Sequence, residues 1–225
     1  MHNLAKNHLF EEGFSTILFE PKELINFQVA WDWQKEWQNK FFLDQTMSQA
    51  IWILAHFTCY TLGRSSSTDN LHFDIENPPF ELFKIDRGGE VTHHLPGQLV
   101  IYLVLDLQRY KPDLNWYLRQ LENVLIDVLD GLGLSGYRIN GMTGVWCNNQ
   151  KVGSIGISCR RWITQHGMSL NVDCDLSGFE NIVPCGLKNH STGCLSKWIP
   201  GLKMDDVRLL MKKYLAKRFG LLWTY

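Results

Sequence analysis

The sequence has no surplus of charge of either sign: 22 Lys and Arg stand against 23 Asp and Glu, for a formal net charge of −1. Without a global field that draws a chain onto phosphate backbones or anionic lipid, nucleic-acid binding is a poor first reading. No apolar run approaches the roughly 18 residues that begin to suggest a membrane helix, so no membrane partner is expected. The opening MHNLAKNHLFEEGF also lacks the basic-then-apolar order of a secretory signal, and the expected location is the cytoplasm. In that reducing compartment the six cysteines, Cys59, Cys147, Cys159, Cys174, Cys185 and Cys194, are expected to stay free. There is no C-x-x-C pair. The spacing Cys185-x4-His190-x3-Cys194, preceded by His166 and Cys174, fits none of the usual zinc patterns, so no metal is expected either. Repeats, linkers and low-complexity segments are missing as well, which reads as a single domain over residues 1–225.

What the chain does carry is core material. Hydrophobic residues make up 45% and aromatics 12%, with 9 Trp and 12 Phe, a globular composition far from the disordered one. Helical periodicity marks residues 22–43 (Leu24, Phe27, Trp31, Phe41) and 113–132, which opens on Asp113 as N-cap. A third helix begins near Asp205 or Asp206 and stops at Gly220. Short β-type runs lie at Thr16–Phe19, Ile51–Leu62, Phe83–Ile85, Leu99–Leu107, Lys151–Ser158 and Ser169–Val172. Gly63–Asn70, Arg87–Gln98, Gly141–Gln150 and Pro184–Gly193 read as loops. Helices and strands do not alternate regularly, so the expected class is α+β, a mixed sheet with helices packed on it.

Three segments could carry chemistry. In Arg87-Gly88-Gly89-Glu90-Val91-Thr92-His93-His94-Leu95-Pro96-Gly97-Gln98, paired glycines allow close backbone approach to a ligand, and Arg and His supply donors. The plain alternative is a turn with two surface histidines. In Lys151-Val152-Gly153-Ser154-Ile155-Gly156, leading to His166-Gly167-Met168-Ser169, the lysine is either an edge residue facing water or an inward one available for proton transfer. In Pro184-Cys185-Gly186 a thiol sits in a polar stretch that reads as a loop, where a nearby lysine could activate it, although free cysteine is more often a small core residue.

Together with Tyr60-Thr61-Leu62-Gly63-Arg64, Gly144-Val145-Trp146 and Phe179 through Ile182, these segments resemble the lipoyl(octanoyl) transferases of lipoate biosynthesis, in the family's order across residues 60–186. The resemblance implies one α+β domain of the biotin/lipoate protein ligase catalytic type that uses no cofactor. It also implies transfer of an octanoyl group from acyl carrier protein to a lysine of the lipoyl domains of 2-oxoacid dehydrogenases or of glycine-cleavage H protein. Cys185 matches the family nucleophile and Lys151 the lysine that lowers its pKa. Arg87, Gly88, Gly89, Glu90, Val91, Thr92, His93, His94, Ser154, Ile155, Gly156, Gly167, Met168 and Ser169 match segments lining the substrate site. His93 stands where the family has an aromatic, and Leu95 where it has a small residue, which bears on pocket shape and chain length.

Two rival readings stand beside this one. An ATP-dependent lipoate or biotin-type ligase shares the Arg-Gly-Gly segment in outline, and a non-catalytic carrier-binding module would share the fold without turnover. Lys212, Lys213, Lys217 and Arg218 on the third helix form either a solvated last-turn face favoured by the helix dipole or a docking face for an acidic carrier.

Overall fold

Gln49–His56 and Gln98–Val104 are buried along their whole lengths. A strand apolar on both faces belongs at the centre of a sheet covered on both sides. The computed structural model, which describes residues 13–184 and 191–225, places them there. In chain order the elements are β1 (Phe14–Phe19), β2 (Leu24–Ile25), α1 (Phe27–Leu43), β3 (Gln49–His56), β4 (Cys59–Leu62), β5 (Glu81–Lys84), β6 (Thr92–His94) and β7 (Gln98–Val104). Then follow α2 (Leu114–Gly131), β8 (Tyr137–Ile139), β9 (Met142–Cys147), β10 (Gln150–Arg160), β11 (Ile163–Asn171), β12 (Ser191–Thr192), α3 (Met204–Phe219) and β13 (Leu221–Thr224).

The main sheet runs β13-β1-β3-β7-β11-β10-β9-β8, with β2 joined to β3 and β12 to β10; a small second sheet runs β5-β4-β6. The expected α+β class with a mixed sheet is therefore what forms: β13, β1 and β3 are parallel, and the rest of the path is antiparallel. Alternation along the central strands feeds two cores. Ile51, Ile53, Leu99, Ile101 and Leu103 pack with Tyr117, Leu121, Val124 and Leu125 of α2 and with Val207, Met211, Leu215 and Phe219 of α3. On the other face Ala50, Trp52, Leu54, Val100, Tyr102 and Val104 meet Phe27, Ala30 and Phe41 of α1.

The helix expected over 22–43 begins at residue 27. Leu24 and Ile25 pair with Ala55 and His56 instead, and the Asn26 side chain accepts the Gln28 N–H at 2.9 Å as N-cap. α2 matches its expected span, with Asp113 accepting the Trp116 N–H, and Gly220 closes α3 in the left-handed region at φ 59°. The run 51–62 is two strands in different sheets, and β7 stops at Val104 where Asp106 caps a 3₁₀ turn. The expected loops 87–98 and 141–150 contain β6 and β9. The third helix offers no four-charge face. Lys212 pairs with Glu20 at 2.9 Å, Arg218 is held by both oxygens of Asp127, and Lys213 and Lys217 lie over the Tyr214 ring.

Candidate active site

The β-sheet register explains the cavity. Val100 of β7 is opposite Ser169 of β11, which is opposite Ser154 of β10; the next row is Tyr102, Gly167 and Gly156. Side chains two apart share a face, so Ser154, Gly156, Gly167 and Ser169 make a floor without bulk on the α1 side of the sheet. Above that floor lies a cavity of about 240 Å³. Phe27 at the start of α1, Ile85, Val100 and Tyr102 supply its apolar lining, and Arg87, His94, His166 and Lys151 its polar groups. Apolar walls with a few convergent polar groups are the usual make-up of a small-molecule site.

Lys151 is 7% exposed and points inward, not to water as an edge gatekeeper would. Its Nζ donates to the Thr143 carbonyl at 3.0 Å and lies 5.4 Å from the centre of the Trp146 ring. Gly144 makes the room, since at φ 134° a Cβ there would stand 2.6 Å from Lys151 Cε. The Gly144 N–H in turn donates to Glu122 of α2, a carboxylate only 1% exposed that also takes Arg119 and Arg138, each at 2.6 Å. Replacing Glu122 by Ala would leave those donors facing a void beside Lys151. We expect about 2 kcal/mol lost in urea unfolding, below the roughly 3–5 kcal/mol of a fully buried pair because both arginines are partly exposed. An unchanged midpoint would remove Glu122 from the support of the lysine.

Arg87 lies across Gly156, where a Cβ would meet Arg87 Cδ at 2.8 Å. Its guanidinium donates to Thr61 O and Oγ1 at 2.8 and 2.9 Å, fixing it between the small sheet and the cavity. Both histidines of the first segment are buried, against the plain expectation of a surface turn. Asn171 donates to the Gly193 carbonyl, Gln98 donates to Asn171 Oδ1 at 2.9 Å, and Gln98 Oε1 therefore faces His94 Nδ1 at 2.7 Å. An amide oxygen only accepts, so Nδ1 carries the proton and Nε2 is left basic. Burial holds the His94 pKa well below the ordinary value, with neighbouring His56 and Arg87 adding to the effect, and the ring is neutral. His166, left-handed at φ 61°, is pinned by its N–H to Gln34 Oε1 at 2.8 Å and by Nε2 to Asp86 at 2.9 Å. The His166 hydrogen bond holds the Asp86 carboxyl down at about 2, while burial keeps the imidazole below its ordinary value.

His56 lies beneath His94, its Nδ1 donating to the Ile25 carbonyl and its Nε2 accepting from Tyr102 Oη at 2.8 Å. Burial lowers its pKa to about 4, against about 6.5 in an unfolded chain. The unfolded chain thus takes the proton first as pH falls, so stability declines from about pH 6.5 to about 4 and levels off below. The gap corresponds to about 3 kcal/mol, and His94 and His166 act in the same direction. Urea unfolding across this range should show the decline, with a shallower slope in His56→Gln. Equal slopes would assign the titration to other groups.

Of the residues expected to line the site, Arg87, Gly89, Glu90, Thr92, His94, Lys151, Ser154, Ile155, Gly156, Gly167, Met168 and Ser169 border this one cavity. Gly88, Val91 and His93 do not. Thr92 and His94 face the cavity from β6, so period-two alternation turns Val91 and His93 the other way, and the Gly88 N–H is spent on Ile157 O. His93 stacks on Tyr60 at 4.6 Å and meets Phe179 edge-on, so it does the packing work of the aromatic it replaces. Leu95 is buried in that same cluster, away from the cavity, so its bulk does not shape the cavity. Phe27, Ile85, Val100, Tyr102, Gly141, Met142 and Thr143 join the lining without a sequence signal that marked them as site residues, and His166, which lay in the second chemical segment, joins it too. Cys185, Gly186 and His190 lie outside the described residues. Ser191 and Thr192, which follow that segment, pair with Gln150 and Lys151.

Fold and cavity together define a catalytic domain of the lipoate and biotin protein ligase type. A structure from the archaeal lipoylation system of Thermoplasma acidophilum, a bipartite lipoate protein ligase and its E2 lipoyl domain, superposes at TM-score 0.75 with 14% identity, over 95% of this chain and 86% of the other. Biotin protein ligase from Aquifex aeolicus superposes at 0.51 with 12% identity, over 91% of this chain and 69% of the other. The chain belongs to the lipoyl protein ligase A/B catalytic domain family, whose profile matches residues 26–216. It is 70% identical to an octanoyltransferase of Prochlorococcus marinus, over 99% of this chain and all of that one. It is 57% identical to an octanoyltransferase of a Synechococcus species, over 95% and 93%.

Proposed function

We propose that this chain is an octanoyltransferase that moves an octanoyl group from acyl carrier protein to a lysine of a lipoyl domain, a step of protein lipoylation, with Cys185 as acyl carrier. The observation that carries this reading is an apolar slot over a Gly/Ser floor with buried Lys151 on its wall. The full chain, residues 1–225, acts as one catalytic domain in the cytoplasm. Among the described residues no helix is long and apolar enough to cross a membrane.

In the first half-reaction the Cys185 thiolate attacks the donor thioester. The new C–S bond forms as the carrier sulfur leaves, and that sulfur takes a proton from the Lys151 ammonium. In the second half-reaction the acceptor amine attacks the Cys185 thioester and gives its extra proton to the now neutral Lys151, and the Cys185 thiolate departs. Amide forms, the thiol is regenerated and the energy of the thioester suffices without ATP. Arg87, His94, Ser154, Gly156, Gly167 and Ser169 shape the slot and its polar end. About seven chain carbons buried at about 0.8 kcal/mol each supply on the order of 5 kcal/mol of binding. Lipoyl domains of 2-oxoacid dehydrogenases and glycine-cleavage H protein are the acceptors.

Intact-protein mass spectrometry after incubation with octanoyl-acyl carrier protein tests the reading. An octanoyl adduct on the wild type, none on Cys185→Ser, and discharge to a lipoyl domain are the expected results. Modification of the domain only when octanoate and ATP are supplied would instead make the chain a ligase.

A further inference from the structure

Of the thiols that the proposed mechanism leaves idle, Cys174 and Cys194 are in contact through the Cys174 N–H. The Cys174 backbone N–H donates to Cys194 Sγ at 3.0 Å, and the Ser196 hydroxyl lies 3.6 Å from the same sulfur. Both border a second surface depression, which Gln150, Thr192, Gly193 and Lys197 complete, with the Lys197 ammonium held on Gln150 Oε1 at 3.3 Å. Cys194 itself is 5% exposed. Hydrogen bonds that converge on one sulfur favour its thiolate, so Cys194 titrates below an ordinary thiol, and Cys174, donating to it, above. A low-pKa sulfur beside a second thiol is the arrangement that oxidants convert to a disulfide.

We propose that Cys174 and Cys194 form a reversible disulfide when the protein meets a hydroperoxide. The Cys194 thiolate attacks the peroxide oxygen, the O–O bond breaks, and the departing hydroxide or alkoxide takes a proton, leaving a sulfenic acid on Cys194. The Cys174 thiol then attacks that sulfur, the S–S bond forms, and the sulfenic hydroxyl leaves as water with the Cys174 proton. Two electrons pass from the thiol pair to the peroxide, and a dithiol reductant reverses the change by exchange. The bond has a direct route to the site described above. Gly193, next to Cys194, donates its N–H to the Lys151 carbonyl at 2.9 Å and accepts from Asn171, the start of the chain that sets the His94 tautomer. An S–S bond of about 2.05 Å fixes the Cys194 side chain and so bears on Gly193 beside it.

The test is peptide mapping, and it does not depend on the role proposed for Cys185. Trypsin leaves Cys174 and Cys185 together in the fragment 162–188 and Cys194 in 189–197, so the mapping is done in Cys185→Ser. After peroxide the protein should lose about 2 Da, two hydrogens, and the remaining thiols are then alkylated before digestion. The fragments 162–188 and 189–197 should appear as one linked species that dithiothreitol separates. Cys174→Ser in the same background should give no link and accumulate the sulfenic acid on Cys194, trapped by dimedone. Unlinked, fully alkylated Cys174 and Cys194 after peroxide, or a link from either to another cysteine, would overturn the proposal.

Discussion

Cys185→Ser is expected to reduce octanoyl transfer by at least about 10³-fold while the thermal unfolding midpoint stays within a few degrees of wild type. Serine occupies nearly the same volume, so the fold has little to lose. Chemistry has much to lose, because the hydroxyl is scarcely ionised near neutral pH whereas even an ordinary thiol is a few per cent thiolate. Removing the nucleophile of a covalent mechanism leaves only binding and electrostatic terms, and such losses run to several orders of magnitude. The measurement is steady-state transfer from octanoyl-acyl carrier protein to a lipoyl domain, with the intact mass of each variant recorded beside it. Turnover at a substantial fraction of wild type, or an octanoyl adduct that persists on the serine variant at another residue, would end the assignment of Cys185 as acyl carrier.

The second large effect is expected at Lys151. Lys151→Met keeps the apolar stem over Trp146 and removes the ammonium, together with its hydrogen bond to Thr143 O. Losing a positioned proton donor and acceptor costs on the order of 10²- to 10⁴-fold in rate. In the proposed mechanism it also removes the charge that holds Cys185 ionised. The pH midpoint for Cys185 alkylation should rise, by about 1.5 units if one partly desolvated ammonium supplies about 2 kcal/mol. Lys151→Arg is not expected to rescue, because the strand opposite leaves no room: even a Cβ at Gly144 would press on Lys151 Cε at 2.6 Å. An alkylation midpoint that stays in place while transfer falls would assign Lys151 to proton transfer alone. If neither moves, the lysine is structural.

How much of this was legible beforehand depends on whether the deciding interactions are local. The N-cap at Asp113 and the αL stop at Gly220 were readable because capping is settled within a few residues. The start of α1 was not, because Leu24 and Ile25 are recruited as a strand by Ala55 and His56, about thirty residues away. Within the site, the segments Arg87–His94 and Ser154–Ser169 were marked by their residue types, yet which members face the slot was set by pleat alternation. Val91 and His93 fell on the other side of it for that reason, whereas Gly88, outside any strand, has its N–H taken by Ile157 O.

The amino-acid sequence alone determined the α+β class, the family-specific motifs and the absence of a strong net charge, and the pairing of Cys185 with Lys151 is what the family resemblance of those motifs implies. These rest on composition, on period and on the identity of single residues, none of which needs distant contacts. Only the tertiary structure decided that Lys151 is turned inward, because its orientation depends on Gly144 and Glu122 arriving from a neighbouring strand and from α2. It alone decided that Ser154, Gly156, Gly167 and Ser169 meet as one floor, which requires β10 and β11 to pair in a single register. The tautomer of His94 is likewise tertiary, being set through Gln98 and Asn171 from Gly193. Hydrogen-bond direction is a property of whole chains of donors and acceptors, and a sequence does not reveal which of its polar groups will be brought within about 3 Å of one another.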